Sequence, residues 1–282
     1  MSKSPHGYDT RSWNPVTGCS KVSAGCRSCW AEEYSRRMGW PWKVTLHPER
    51  LEQPFGWPSS QVVALCFMSD IFHEDIPYEF QEGVWRVMMI AQQHTFLALT
   101  KRIKPRVGYA MDHPIFRLVH DYGVLPNVFL GVSVENQATA DERIPLLLET
   151  PAAHRWVSAE PLLGPLNLEG PADGRWLVPD HNAHWERGHV VTVADLAAVA
   201  EIAKAYCRKE GWAGIDGVIV GGESGAGHRP MEVAWAQSIV GQCDAAGVPV
   251  YVKQDSHRYP GRQGRIPDAL WTRKQVPWEP AL

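Results

Sequence analysis

The chain has 282 residues, 44% of them hydrophobic, with a formal net charge of -3 and a pI near 6.5. That length allows one large α/β domain or two small ones, and the charge excludes a global basic field that would draw the whole molecule onto nucleic acid. No run reaches the roughly 20 apolar residues of a membrane span, and the first residues, MSKSPHGYDTRSW, lack the apolar core of a signal peptide. The expected setting is therefore the cytoplasm, where thiols stay reduced, with no membrane partner.

The first feature in the chain is Ser12 to Met38, SWNPVTGCSKVSAGCRSCWAEEYSRRM, with a helix from about Trp30. Apolar runs then recur. QVVALCFMSD reads as a buried strand ending at Ser69 and Asp70, followed by the helix YEFQEGVWRVMMIAQQH. TFLALTKR ends at Thr100 and Lys101. VFLGVSVEN ends near Ser133 and Glu135, before the helix ATADERIPLLLET. HRWVSAEPL ends at Ser158 and Glu160. DGVIVGGESG ends in glycines, before a helix from about Met231 to Ala246, and VPVYVKQ ends at Lys253 and Gln254.

Continuous apolar strands alternating with helices predict a parallel sheet covered on both faces. Six or more such units fit an α/β fold built as a partial or complete TIM-like (βα) barrel, with a doubly wound open sheet as the alternative. The chain reads as a single domain over residues 1–282. The stretch near 165–192, rich in Gly, Pro and His, reads as an insertion or lid. Its His181, His184 and His189 read as solvated loop residues rather than metal ligands. TVADLAAVAEIAKAYCRKEG follows as a helix, and the tail from about 258 reads as irregular.

Polar residues close the strands: Ser69, Asp70, Thr100, Lys101, Ser133, Glu135, Glu160, Glu223 and Lys253. In parallel α/β folds the C-terminal strand ends line the active site, so these are candidate site residues. The motif MSDIFHEDIP adds His73, Glu74 and Asp75, which read as polar contacts rather than a second metal site. Thirteen tryptophans is high for this length. Trp85, Trp156 and Trp235 read as core. Trp13, Trp30, Trp40, Trp42 and Trp57 crowd the N-terminal fifth, and fit either packing or the wall of a pocket for a planar ligand.

Three of the six cysteines, Cys19, Cys26 and Cys29, are spaced C-x6-C-x2-C. Clustered thiols in a reducing compartment point to metal. Cys66, Cys207 and Cys243 are scattered and read as small core residues. Two metal readings stand. A closed zinc site needs four ligands and would recruit a histidine such as His6 or His47. A [4Fe-4S] cluster on three thiolates leaves one iron open. Gly18 and Gly25 each precede a cysteine and let the backbone bend, and the helix from Trp30 directs its positive end at the thiolates.

SWNPVTGCSKVSAGCRSCWAEEYSRRM, MSDIFHEDIP, LTKR, GVSVEN, SAEPLLGPL and VIVGGESGAGHRPM together resemble the phage Gp37/Gp68 family of three-cysteine-motif proteins. That family is similar to the radical S-adenosylmethionine (SAM) enzymes. The resemblance implies a βα barrel and a [4Fe-4S] cluster on Cys19, Cys26 and Cys29. It implies SAM bound at the open iron, with Trp30, Ser69, Asp70, Thr100, Lys101, Ser133, Glu135 and Glu160 as contacts. Gly221, Gly222, Glu223, Arg229 and Lys253 fall to the substrate, a nucleotide or a DNA base. An electron donor, flavodoxin-like, ferredoxin-like or chemical, is implied as partner. The pattern departs from the usual C-x3-C-x2-C: the first gap is six residues, and the aromatic Trp30 follows the last cysteine where one usually precedes it. A zinc-stabilised non-catalytic binding protein is the competing expectation, and an iron–sulfur enzyme using its open iron as a Lewis acid is a third.

Overall fold

Each apolar run forms a strand in the computed structural model, which describes residues 10–104, 114–170, 176–177 and 214–278. The elements in chain order are β1 (Arg11–Trp13), β2 (Val16–Thr17), α1 (Trp30–Arg37), β3 (Thr45–Leu46), β4 (Val62–Leu65) and α2 (Tyr78–Ile90). There follow β5 (Thr95–Thr100), α3 (Pro114–Tyr122), β6 (Val128–Ser133), α4 (Gln137–Glu149) and β7 (His154–Ala159). Last come β8 (Gly217–Gly221), α5 (Val233–Ala246), β9 (Val250–Gln254) and α6 (Asp268–Trp271). The histidine-rich part of the expected insertion, the helix expected after it and Cys207 lie outside the described residues.

Seven strands form one sheet in the order β1-β4-β5-β6-β7-β8-β9, every neighbouring pair parallel. The short β2 and β3 pair separately and antiparallel. The order never reverses. A doubly wound sheet needs a reversal at its switch point, so that alternative is not realised. Right-handed crossovers in an unreversed order put successive helices on the same face. The sheet curls away from them into a half-barrel flanked by helices.

The two faces are filled differently. Val63, Phe96, Val128, Val157, Val218 and Val250 pack against the helices, meeting Met88, Ile115, Ile144 and Ile239. The alternate residues Leu97, Phe129, Trp156, Ile219 and Tyr251 form a second cluster on the concave face with Val276 and Trp278. Burial on both faces is why the strands read as unbroken apolar runs. Trp156 lies across β6 at Gly131, where a Cβ would collide with its indole.

Local chemistry sets the helix ends. Asn136 caps α4, its side chain accepting the Thr139 N–H at 3.1 Å. Gly247, with φ 70°, ends α5. That helix starts at Val233 rather than Met231, after Glu232 in an extended conformation, and the Met231 N–H donates to Ser256 Oγ at 2.9 Å. The helix expected to run through His94 stops at Ile90. His94 is drawn instead to the start of the sheet, where its Nδ1 accepts the Gln61 N–H.

The tail is not irregular throughout. After α6 it runs antiparallel beside β9, with Val252 N–H donating to Arg273 O at 2.8 Å and Gln275 N–H to Val250 O at 3.2 Å. It covers the edge of β9 and delivers Trp278 edge-on to Trp156, 5.5 Å between ring centroids. The segment lacks a period of its own, so only its distant partner gives it shape. Trp278→Ala is expected to lower the free energy of urea unfolding by about 3–5 kcal/mol. A change below about 0.5 kcal/mol, the size of an ordinary surface substitution, would mean that the tail does not seal the concave core.

Candidate functional site

Residues 14–29 leave β1 and reach α1 with little regular structure, β2 and one 3-10 turn at Ala24–Cys26. Their conformation is imposed by polar groups from the strand ends. The Gly18 N–H donates to Met68 O at 3.0 Å, and Ser69 Oγ donates to Gly18 O at 2.6 Å. Gly18 itself has φ 80° and lies against the Lys43 backbone, so no side chain fits there.

Farther along, Arg102 donates to Ser20 O at 2.9 Å and to Ser20 Oγ at 2.7 Å, and pairs with Glu74. Its guanidinium stands 3.8 Å from Cys19 Sγ. His73 also holds Ser20 Oγ, 2.8 Å from its Nε2. Because His73 Nδ1 accepts the Asp75 N–H, the ring proton sits on Nε2 and is donated to the serine.

Two further clamps close the loop. Ser23 Oγ donates to Glu135 Oε1 at 2.6 Å. Glu135 is fully buried and pairs with Arg143 at 3.4 Å. A Cβ on Gly25 would collide with the Glu135 carboxylate. On the opposite side Arg229 donates to Ala24 O at 3.0 Å while its guanidinium pairs with Glu223. The buried Asp70 ties β4 to β5, accepting from Thr100 Oγ1 at 2.8 Å and from the Lys101 N–H at 2.9 Å.

The braced loop roofs a cavity of about 260 Å³ at the C-terminal strand ends. Cys19, Cys26 and Cys29 all open onto it, between the apolar walls of Trp30, Trp42 and Phe67. Ser133, Ser158, Glu160 and Lys253 line it from the strand ends. Lys253 Nζ pairs with Glu160 Oε1 at 2.8 Å, and Ser158 Oγ donates to Glu160 Oε2 at 3.1 Å. A methyl group at Gly221 would sit 2.7 Å from Glu160 Oε1, so this glycine gives the carboxylate its room.

Of the residues expected to contact a cofactor or substrate, Trp30, Ser69, Asp70, Thr100, Lys101, Ser133, Glu160, Gly222, Glu223 and Lys253 reach the cavity. Glu135, Gly221 and Arg229 are not among its lining residues; Glu135 and Arg229 grip the cysteine loop instead. Ser20, Phe67 and Arg102 also line it, and sequence reasoning passed over them. Arg102 had a signal, since it closes the motif LTKR, but an arginine two residues past a strand end looks like surface. His47 is the described histidine weighed above as a fourth zinc ligand. It bonds Thr17 Oγ1 at 2.8 Å and lies off the cavity lining; His6 lies outside the described residues. Among the described residues, no group of three or more His, Cys, Asp or Glu is arranged to hold a metal ion.

Burial pushes the Cys19 thiol up to about 11, with Asp70 adding to the rise and Arg102 opposing it. Burial also raises the Cys29 thiol, against the pull of the Glu32 and Ala31 amides and the Lys101 charge. Unliganded, these thiols stay protonated at neutral pH and are not primed as nucleophiles. Cys66 and Cys243 are buried in the core as expected.

Fold and site together define an α/β half-barrel protein with a thiol-lined cavity at its C-terminal strand ends. A family model described as "Protein of unknown function (DUF5131)" matches residues 4–268, and the chain belongs to that family. No curated protein and no solved structure gives a significant match.

Burial pushes the Glu223 carboxyl up, but its hydrogen bonds from Arg229 outweigh this and leave it below the usual range. A carboxyl lowered by folding adds stability above its unfolded value of about 4.3, and that stability is lost as pH falls through the folded value. Glu223→Gln is therefore expected to lower stability by about 1–3 kcal/mol at pH 7. It also flattens the fall in urea midpoint below about pH 5. Parallel acid limbs for the two proteins would show that the pair does not stabilise the fold.

Proposed function

We propose that this chain is a radical SAM-type iron–sulfur enzyme, akin to the phage Gp37/Gp68 proteins. Cys19, Cys26 and Cys29 would hold a [4Fe-4S] cluster, and SAM would fill the cavity beneath it. The observation that carries this reading is that all three thiols open onto one cavity whose other side is built from polar strand ends.

The donor set fits such a group. A cluster of four irons spreads its thiolates around a body several ångströms across. Groups that stabilise negative sulfur are already in position. The guanidinium of Arg102 is at Cys19 Sγ, and the amides opening α1 pull on Cys29. Bound there, the cluster would supply the electron that splits SAM into methionine and a 5′-deoxyadenosyl radical.

The remaining work falls to the chain. Lys253 and Glu160 offer one positive and one negative charge to the polar ends of a ligand. Both side chains are about 15% exposed, so these charges act with little screening by water. Ser133 and Ser158 present hydroxyls suited to ribose. Trp30 and Phe67 give flat apolar walls that exclude water beside an adenine. Gly222 and Glu223 stand toward the substrate side, with Arg229 holding Glu223 in place. The electron donor, a flavodoxin- or ferredoxin-like protein or a chemical reductant, is external.

Anaerobic reconstitution with iron and sulfide is expected to give a brown protein with about four irons per chain. Adding SAM and dithionite should yield 5′-deoxyadenosine, and Cys19→Ala, Cys26→Ala or Cys29→Ala should bring that yield to background. A colourless protein holding a single zinc would overturn the proposal in favour of a binding protein. Iron without SAM cleavage would keep the cluster and remove SAM, leaving the open iron as a Lewis acid.

A further inference from the structure

Helix α1 carries large apolar side chains on its outside. Trp30 and Tyr34, one turn apart, are 43% and 41% exposed, and Trp40 is 50% exposed. Tyr34 and Trp40 meet edge-on at 5.8 Å. Trp30 is at once a wall of the cavity. A second rim faces the cavity from the segment after β9. Tyr259 is 55% exposed there, 5.8 Å from the ring of His257, which stacks in turn on His228. The next residue, Pro260, lines the cavity. Exposed aromatic residues gathered at a cavity mouth mark a binding surface rather than scattered surface apolarity.

The charges on these rims identify the partner. Glu32 and Glu33 of α1 are engaged by Lys21 at 3.0 Å and by Arg36 at 2.7 Å. Arg27 and Arg37 beside them, and Arg258 and Arg262 on the other rim, form no salt bridge with a described carboxylate. The mouth is therefore locally positive on a chain whose net charge is -3. Flat aromatic faces interleaved with arginines match a polyanion that carries planar bases. A duplex keeps its bases stacked inside, whereas a single strand offers them to an aromatic platform.

We infer that the cavity mouth binds single-stranded nucleic acid, with one base directed past Trp30 toward the thiol-lined cavity. A cavity of about 260 Å³ takes a small group and not a chain, so the polymer lies across the mouth between the two rims. This inference rests on the reading of the cavity as a catalytic site, and it names the substrate class for that site.

The test is fluorescence anisotropy with the full-length chain and labelled single-stranded DNA and RNA of about 12 nucleotides, within the span such grooves cover. The same DNA as a duplex and anionic phosphatidylserine vesicles are the competitors. Single strands should bind, and more weakly as salt rises from about 50 to 200 mM. Trp30→Ala and Tyr259→Ala should each weaken binding about fivefold or more, the loss of one stacked base. The double variant Arg258→Ala/Arg262→Ala should flatten the salt dependence, by about 0.7 in log–log slope for each phosphate it no longer neutralises. Phe55→Ala removes an exposed aromatic beside Pro54, which meets His94 at the opposite end of the strands. It should leave binding unchanged.

Absence of binding at low salt overturns the inference. So does binding that both aromatic variants leave intact, and so does a duplex or a vesicle that binds as tightly as the single strand. Iron content and 5′-deoxyadenosine formation are measured on the same preparation. Binding without SAM cleavage removes only the catalytic reading, and SAM cleavage without binding removes only this one.

Discussion

The site depends on one constraint: an irregular loop must present three thiols with little secondary structure to hold it. Its backbone polar groups need partners once covered, and the strand ends provide them. Ser69 takes Gly18, Arg102 and His73 take Ser20, Glu135 takes Ser23, and Arg229 takes Ala24. The braces come from successive segments across the sheet, so the loop is positioned by the whole half-barrel rather than by a neighbour. The charged braces are themselves paired, Arg102 with Glu74, Glu135 with Arg143 and Arg229 with Glu223, which makes removal of one partner costly for the other.

The half-barrel that supplies these braces follows from strand order. An unreversed parallel order covers one face with helices and leaves the concave face to be filled from within. Trp156, Phe129 and their neighbours fill one end of it, and the tail closes that end with Trp278. The other end narrows to small or polar residues, Ser133, Ser158 and Gly222, and a cavity remains. The packed core and the cavity thus occupy opposite ends of the same strands, the division that complete βα barrels also show.

Much of this was legible in the residues. The strands and their polar ends stood where the apolar runs stopped, and most of the candidates meet at one cavity. Where the structure departs from the residue-by-residue expectation, the departures share a cause. Glu135 and Arg229 were candidates for cofactor and substrate, yet both hold the cysteine loop. A carboxylate after a strand looks the same in sequence whether it points at a ligand or at Ser23. The tail looks irregular in sequence because its order is borrowed from β9 rather than carried by a period of its own.

The sequence by itself determined the element types, the parallel α/β class and the grouping of three thiols in one short loop. These are local properties, written in hydrophobic period, glycine placement and spacing. Only the tertiary structure decided the direction of strand order, the seating of Trp278, and which polar groups brace the loop and which face the cavity. It also left Trp30, Tyr34 and Tyr259 exposed rather than taking them into the core. The reason is physical: burial period is a property of neighbours in the chain, whereas a hydrogen-bond partner is chosen by the register of segments that meet only on folding.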